Sequence, residues 1–124
     1  MKKFNLEDYQ DMNVCMRLRS NIDKSLSLDE AKAAFPNDEA VIFYEFLHKH
    51  GRRWSGGRSY ANSPQFYRDF VIYFNIGEWD STKHVQRGYL VLEFSDFDWS
   101  DYLPGPIYPD FTMSLEEILK EEKK

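Results

Sequence analysis

The sequence predicts a small α+β domain in which a mainly antiparallel sheet of three to four strands packs on one central helix. Three observations predict this class: an apolar segment with helix-end signals at residues 38–51, an alternating segment at 13–19, and two strand-like segments at 70–76 and 86–94. The 124 residues fit a single domain, because domains most often contain roughly 100–150 residues. Aromatic residues make up 17% of the chain, and their large side chains favour a core rich in Phe and rimmed by Tyr.

The central helix is predicted to begin near Asn37 or Asp38 and to end at Gly51. Asn and Asp are favourable N-cap residues, and Gly is the preferred residue just after a helix C-terminus. Between them, residues 40–47 are apolar on nearly every side of a helix. Such a helix should be packed on more than one side, which predicts that it forms the centre of the core.

Two shorter helices are predicted from capping boxes, in which a hydroxyl at the N-cap is followed three residues later by a carboxylate. The first box is S-L-D-E at residues 27–30, and it predicts a short helix near residues 28–35 that Pro36 ends. The second box is S-L-E-E at residues 114–117, and it predicts a final helix near residues 115–122.

The strands are predicted from side-chain alternation and from β-branched and aromatic content. Residues 13–19 alternate in the way of a half-buried strand, whereas residues 70–76 form an almost continuous apolar run typical of a buried central strand. Residues 86–94 alternate again and predict another strand. The loop between these last two segments is short enough for an antiparallel hairpin, and residues 59–61 are predicted to form a weak edge strand beside it.

The chain is divided into two parts by this interpretation. Residues 1–98 form one α+β domain, in which residues 1–12 are an irregular lead-in segment. Residues 99–124 form an acidic arm rich in proline and aromatic residues, with its short helix, that packs on the domain or extends from it. Three prolines in the arm argue against regular helix and against a central strand there.

Charge is distributed unevenly along the chain, whose formal net charge is −5. Residues 49–68, called the basic turn below, contain five basic residues and no acid, whereas residues 93–124 contain nine acidic and three basic residues. An acidic protein is not built to bind nucleic acid over its whole surface, because phosphate binding needs a clustered positive field. The basic turn is the one segment with such a cluster.

The predicted compartment is the cytoplasm. Cys15 is the only cysteine, so an internal disulfide is excluded. It lies among apolar residues and is interpreted as a small buried filler. The start of the chain lacks the apolar core of a signal peptide, and no run of about 18 apolar residues predicts a membrane span.

Neither a catalytic residue nor a cofactor is predicted. His48 and His50 are two residues apart on a helix and point in different directions, so one ion cannot easily take both, and no metal site is assigned. The S-G-G sequence around Ser55 is not the G-x-S-x-G nucleophile turn.

A metal-dependent nuclease is the main enzymatic alternative. Asp96, Asp98 and Asp101 carry the carboxylate oxygens that Mg²⁺ prefers, and the D-F-D sequence at the end of a strand would put Asp96 and Asp98 on one face. The commoner explanation of the same residues is a solvated acidic arm.

The basic turn has two interpretations. Arginines beside aromatic rings suit phosphate contact and base stacking, which predicts a module that binds single-stranded nucleic acid. The predicted contacts are Arg52, Arg53, Trp54, Arg58 and Tyr60. In the structural interpretation, Trp54 fills the space beneath the helix end, the glycines allow positive φ, and the arginines pair with the acidic arm.

Several short motifs occur in a characteristic order: N-L-E-D-Y near the start, F-L-H-K-H-G followed by R-R-W-S-G-G, and G-Y leading into L-E-F-S-D-F. This order resembles a class of small orphan α+β proteins encoded by phages, prophages and mobile elements of Gram-positive bacteria. The resemblance covers about residues 4–98 and implies the fold and a mobile-element origin, but no activity. The chain departs from it in the short helix near residues 28–35 and in the acidic extension.

The leading hypothesis is a phage-encoded or mobile-element-encoded binding protein that inhibits a host defence or nucleic-acid enzyme without catalysis, in the manner of an anti-CRISPR. Its partner would be a host protein with a basic surface, such as a nuclease, because carboxylates can take the place of phosphates and steer association. The predicted contacts of this acidic aromatic surface are Asp96, Asp98, Trp99, Asp101, Tyr102, Glu116, Glu117 and Glu121.

Overall fold

The computed structural model describes residues 1–103 and has the predicted α+β class. Its helices and strands are β1 (Val14–Arg19), α1 (Leu28–Ala34), α2 (Glu39–Lys49), β2 (Asp69–Tyr73), β3 (Glu78–Ser81) and β4 (Leu90–Glu93). Four 3-10 helices lie between them or beside them: Leu6–Tyr9, Thr82–His84, Phe94–Asp96 and Ser100–Tyr102. The helix predicted near residues 115–122 lies outside the described residues. Among residues 1–103, no helix has the length and apolar character needed to cross a membrane.

The sheet has four strands in the order β3-β2-β1-β4. β2 is antiparallel to both β1 and β3, whereas β4 runs parallel to β1. Met16 marks the centre, because it faces Ile72 on one side and Leu92 on the other. The sheet is therefore mixed, with antiparallel pairing in two of its three strand pairs.

The predicted hairpin between the second and third strand segments is wrong. β2 turns at Gly77 directly into β3, and residues 82–89 then carry the chain to the far edge of the sheet, where β4 joins β1. The reversal is tight because Gly77 adopts φ +71, which glycine accepts without cost. The weak strand predicted at residues 59–61 is also wrong, since only an isolated bridge between Arg53 and Ser59 forms there.

Helix α2 lies at the centre of the core. Asp38 caps its first turn, with one carboxylate oxygen accepting from the Ala40 amide at 3.0 Å and the other from the Asn21 amide at 2.9 Å. The helix therefore begins tied to the segment after β1. The buried residues of α2 are Ala40, Val41, Ile42, Phe43, Tyr44, Phe46 and Leu47. They belong to one cluster with Met16 and Leu18 of β1 and with Ile72 of β2.

The N-terminal segment is more ordered than predicted. Residues 1–12 include the 3-10 helix Leu6–Tyr9, which Asn5 caps by accepting from the Glu7 amide at 2.9 Å. Phe4 is buried, and its ring contacts aromatic rings of α2, of the end of β2 and of the segment after β4. This segment is part of the core, because the buried Phe4 ring adds apolar area that an irregular segment in solvent would leave exposed.

The other face of the sheet has a small core of its own. Cys15, Val71 and Tyr73 are buried beneath Val85 and Tyr89 of the crossover segment 82–89. Cys15 is a filler residue, as the sequence predicts, and burial raises the pKa of its thiol to about 12. Both faces of the central strands are thus covered, which explains why the sequence of β2 is an almost continuous apolar run.

Candidate functional site

The tip of the basic turn is a tight hairpin that points two arginines outward. The Trp54 amide donates to the Arg58 carbonyl at 3.0 Å, and the Gly57 amide donates back to the Trp54 carbonyl at 2.8 Å. Gly57 adopts φ +94, a conformation that residues with a Cβ rarely accept. Because Arg53 pairs with Ser59 across the hairpin, Arg53 and Arg58 emerge from its two neighbouring arms.

This hairpin is docked on the turn between β2 and β3. The Ser55 amide donates to the Gly77 carbonyl at 2.8 Å. A Cβ added at Gly77 would lie 2.5 Å from the Arg53 carbonyl oxygen and 2.7 Å from the Ser55 nitrogen. The two turns are therefore in direct backbone contact, which holds the basic turn in a fixed place. This contact joins segments about 20 residues apart and was not predicted from the sequence.

The far end of the basic turn is held by helix α2. The Tyr44 hydroxyl donates to the Gln65 carbonyl and accepts from the Gln65 amide. The Trp54 ring contacts the Tyr44 ring at 5.9 Å between centroids, and its Nε1 donates to the Ser63 carbonyl at 2.7 Å. Trp54 is half-buried, so it both anchors the turn and keeps part of its ring exposed.

Tyr60 does not belong to an accessible site. It has no exposed surface and lies against Tyr44, with 5.4 Å between ring centroids. This burial corrects the prediction that Tyr60 stacks on bases, because a ring inside the core cannot reach a ligand. Burial raises the pKa of its hydroxyl to about 12, and that hydroxyl has no hydrogen-bond partner among the described residues.

The arginines of the basic turn bond to carbonyl oxygens rather than to carboxylates. Arg52 donates to the Phe74 carbonyl at 3.1 Å, and Arg53 donates to the Gly57 carbonyl at 3.0 Å. Arg58 is exposed. Within residues 1–103, no ion pair uses Arg52, Arg53, Arg58 or Arg68. A carbonyl fixes a guanidinium in place without neutralising it, so these arginines have no carboxylate partner among residues 1–103.

Two grooves lie on either side of Arg58. The first, called the basic groove, has a volume of about 650 Å³ and is lined by His48, Arg53, Gly57, Arg58, Ser59, Ala61, Asn62 and Ser63. No carboxylate is present in that lining. The second, called the aromatic groove, has a volume of about 340 Å³ and is lined by Trp54, Ser55, Gly56, Arg58, Ser63, Gln65, Gly77, Glu78 and Trp79.

An exposed pair of aromatic rings extends the aromatic groove along the sheet edge. Trp79 on β3 is 38% exposed and Tyr67 is 49% exposed, and their ring centroids are 5.3 Å apart. Neither residue is among the contacts predicted from the sequence. The place of Trp79 on an edge strand depends on pairing that the local sequence does not show.

The two aromatic residues in the described part of the acidic arm lie in the core or at its edge. Trp99 is 6% exposed and stacks on Phe94 with 4.6 Å between centroids, while its Nε1 donates to the Phe94 carbonyl at 2.7 Å. This burial corrects the prediction that Trp99 contacts a partner. Tyr102 is half-buried between Phe46, at 5.4 Å between centroids, and Lys49, whose Nζ lies 5.5 Å from its ring.

Two carboxylates of the acidic aromatic surface, Asp98 and Asp101, lie near the N-terminus of the chain. Asp101 pairs with Lys3 at 2.7 Å, and this hydrogen bond raises the pKa of Lys3. Asp98 accepts from the Ser100 amide at 2.9 Å, and bonds to Ser100 lower the pKa of Asp98. Asp96 is exposed. The described part of the arm is therefore joined to the N-terminal segment and not to the basic turn. The other predicted contacts, Glu116, Glu117 and Glu121, lie outside the described residues.

Across residues 1–103, no three His, Cys, Asp or Glu side chains converge in a way that could hold a metal ion. A scan against protein-family models finds no match, and searches of curated proteins and of solved structures return none either.

Proposed function

We propose that the protein is a non-catalytic module that binds nucleic acid through its basic turn. The observation that supports it best is the basic groove, where Arg53, Arg58 and His48 share a lining without a carboxylate. Neither arginine is part of an ion pair within residues 1–103. Phosphates bind preferentially to arginines that are not already paired with a carboxylate.

The chemistry of the groove fits a phosphate chain better than a single small anion. Arginine guanidinium groups form two parallel hydrogen bonds to phosphate oxygens. Ser59, Asn62 and Ser63 add hydroxyl and amide groups to the same lining, and these side chains are common partners of the phosphate–sugar backbone. The basic groove shares Arg58 and Ser63 with the aromatic groove, and two adjoining grooves suit a polymer.

Salt dependence of binding tests this proposal. Two phosphate contacts on a single strand give a slope of about −1.4 in log affinity against log salt, so affinity should fall up to about sevenfold between 50 and 200 mM salt. Fluorescence anisotropy with a labelled oligonucleotide measures it. Replacing Arg53 and Arg58 together by Gln should remove most of the affinity and flatten the slope.

The matched control replaces Lys83 and Arg87 together by Gln, which removes two exposed cations from the crossover on the other face of the sheet. Its affinity should equal that of the unmodified protein. Equal losses in the two variants would show a non-specific charge effect and reject the site. Absence of any anisotropy change at 50 mM salt would reject the function.

A second candidate function is inhibition of a host nucleic-acid enzyme through the acidic surface. The observation in its favour is the anchoring of the arm. Phe97 and Trp99 are buried. Asp96 and Asp101, close to them in the chain, are exposed. Phe97 and Trp99 lie between Asp96 and Asp101 in the chain, and their burial holds these carboxylates in a fixed arrangement, which would suit a basic protein surface. The mobile-element origin implied by the sequence resemblance accords with this role.

Charge reversal separates this candidate from the first. Changing Asp96, Asp98 and Asp101 to Lys should abolish capture of a basic host enzyme in an affinity purification, with the fold intact by circular dichroism. Oligonucleotide binding should not weaken in the same variant. Undiminished capture of the same enzyme would end the second candidate.

A further inference from the structure

We propose that the aromatic groove receives an unpaired base, so that the protein prefers single-stranded over double-stranded nucleic acid, and that Trp79 with Tyr67 forms the stacking platform. This inference rests on the proposed function and names the form of its ligand. It replaces Tyr60, which is buried, with two rings that reach the surface.

The platform is fixed before any ligand arrives. Trp79 pairs with Ile72 in the β2–β3 ladder, and its ring meets Phe70 edge-on, at 6.2 Å between centroids and 84° between planes. The Tyr67 ring also contacts Trp79, with 5.3 Å between centroids. A ring held by a strand and by a core neighbour loses little conformational freedom when a base stacks on it.

Arg58 connects the platform to the basic groove. It lines both grooves, so a phosphate bound to Arg58 would have its own base beside the aromatic groove. In a duplex the bases are paired and stacked on one another, whereas an unpaired base can turn out onto an aromatic side chain. Only a single strand can therefore occupy both grooves at once.

Glu78 argues for a base and against a second phosphate in the aromatic groove. It is exposed and lines that groove beside Trp79. Its carboxylate repels phosphate, but it can accept hydrogen bonds from the amino groups of bases. The basic groove therefore suits the negatively charged backbone of a strand, and the aromatic groove suits its uncharged bases.

The experiment compares a 12-nucleotide single strand, as DNA and as RNA, with a duplex of the same sequence. Affinities are measured for the unmodified protein, for Trp79→Ala and for Leu90→Ala, a control that removes an exposed apolar side chain from the opposite edge strand. We expect Trp79→Ala to weaken single-strand binding roughly 5- to 150-fold and to leave duplex binding unchanged. Leu90→Ala should change neither, and a difference between the DNA and RNA arms would identify the preferred sugar.

Circular dichroism establishes whether the variants are folded. If Trp79→Ala does not fold, Tyr67→Ala is used instead, because the Tyr67 ring is more exposed. Equal affinity of the unmodified protein for single strand and duplex would overturn this inference and leave the proposed function standing. Equal weakening of both ligands by Trp79→Ala would also overturn it. Failure to bind either ligand would overturn the two together.

Discussion

Replacing Gly77 by Ala tests whether the basic turn is held in place by backbone contact with the β2–β3 turn. The new Cβ would lie 2.5 Å from the Arg53 carbonyl oxygen, 2.7 Å from the Ser55 nitrogen and 2.9 Å from the Trp54 carbonyl carbon. All three atoms are backbone, so no side chain can rotate away to make room. Gly77 also adopts φ +71, which adds strain for any residue with a Cβ.

The expected cost has two parts. The left-handed conformation costs an alanine about 1–2 kcal/mol, and overpacking of a filled site costs about 1–3 kcal/mol. Together they lower the free energy of unfolding by roughly 2–5 kcal/mol. For a domain of this size, with about 3–4 °C per kcal/mol, the melting temperature should fall by roughly 6–20 °C. Thermal and urea unfolding followed by circular dichroism measure both quantities.

Two glycines of the hairpin tip separate these parts. Gly57 adopts φ +94, but a Cβ there meets nothing within 4 Å, so Gly57→Ala should show the conformational cost alone. A Cβ on Gly56 also meets nothing within 4 Å, and no left-handed φ occurs at that position. Gly56→Ala should therefore leave stability nearly unchanged. Equal destabilisation by Gly77→Ala and Gly57→Ala would refute the docking contact.

Three further predictions concern the core and the surface charges. Tyr60→Phe should leave the free energy of unfolding unchanged or raise it by up to about 1 kcal/mol, because it removes a buried hydroxyl without a partner among the described residues; urea unfolding checks it. Hydrogen bonds to Arg17 lower the pKa of Asp69, so this carboxylate stabilises the fold above its unfolded pKa of about 3.9, and the contribution is lost as pH falls through the lower folded pKa. Arg17→Met should therefore flatten the loss of stability below about pH 4, and an unchanged acid limb would contradict it. Trp99→Ala should cost about 3–5 kcal/mol, whereas Asp96→Lys should change stability by less than about 0.5 kcal/mol; similar melting curves would show that Trp99 is not a core residue.

The features that local sequence determines were predicted well. The capping box at residues 27–30 forms as expected, with both hydrogen bonds present, and α2 begins after Asp38 and ends before Gly51. Caps and helix periodicity act within a few residues, so they can be read directly. β1 was also predicted, because its alternation places Met16 and Leu18 on the core face.

The features that depend on distant pairing were not predicted. A short loop between two strand-like segments favours a hairpin, but β4 pairs in parallel with β1 instead, and residues 82–89 cover Cys15 and Tyr73. The aromatic residues were misplaced for a related reason. Trp99 lies in an acidic, proline-rich segment that reads as exposed, yet it reaches the core because the 3-10 helix Phe94–Asp96 turns the chain back towards α2.

The negative net charge of the protein and the positive charge of its basic groove act in opposite directions on the affinity for any polyanion. At long range a protein with net charge −5 repels a phosphate chain, whereas Arg53 and Arg58 attract it only at contact. Salt screens the long-range part first, because the Debye length is about 10 Å at 0.1 M. Added salt therefore weakens the repulsion while it also displaces the bound strand. The measured salt slope should be shallower than −1.4. Neutralising exposed carboxylates remote from the groove should make the slope steeper, because it removes the long-range repulsion; an unchanged slope would contradict this.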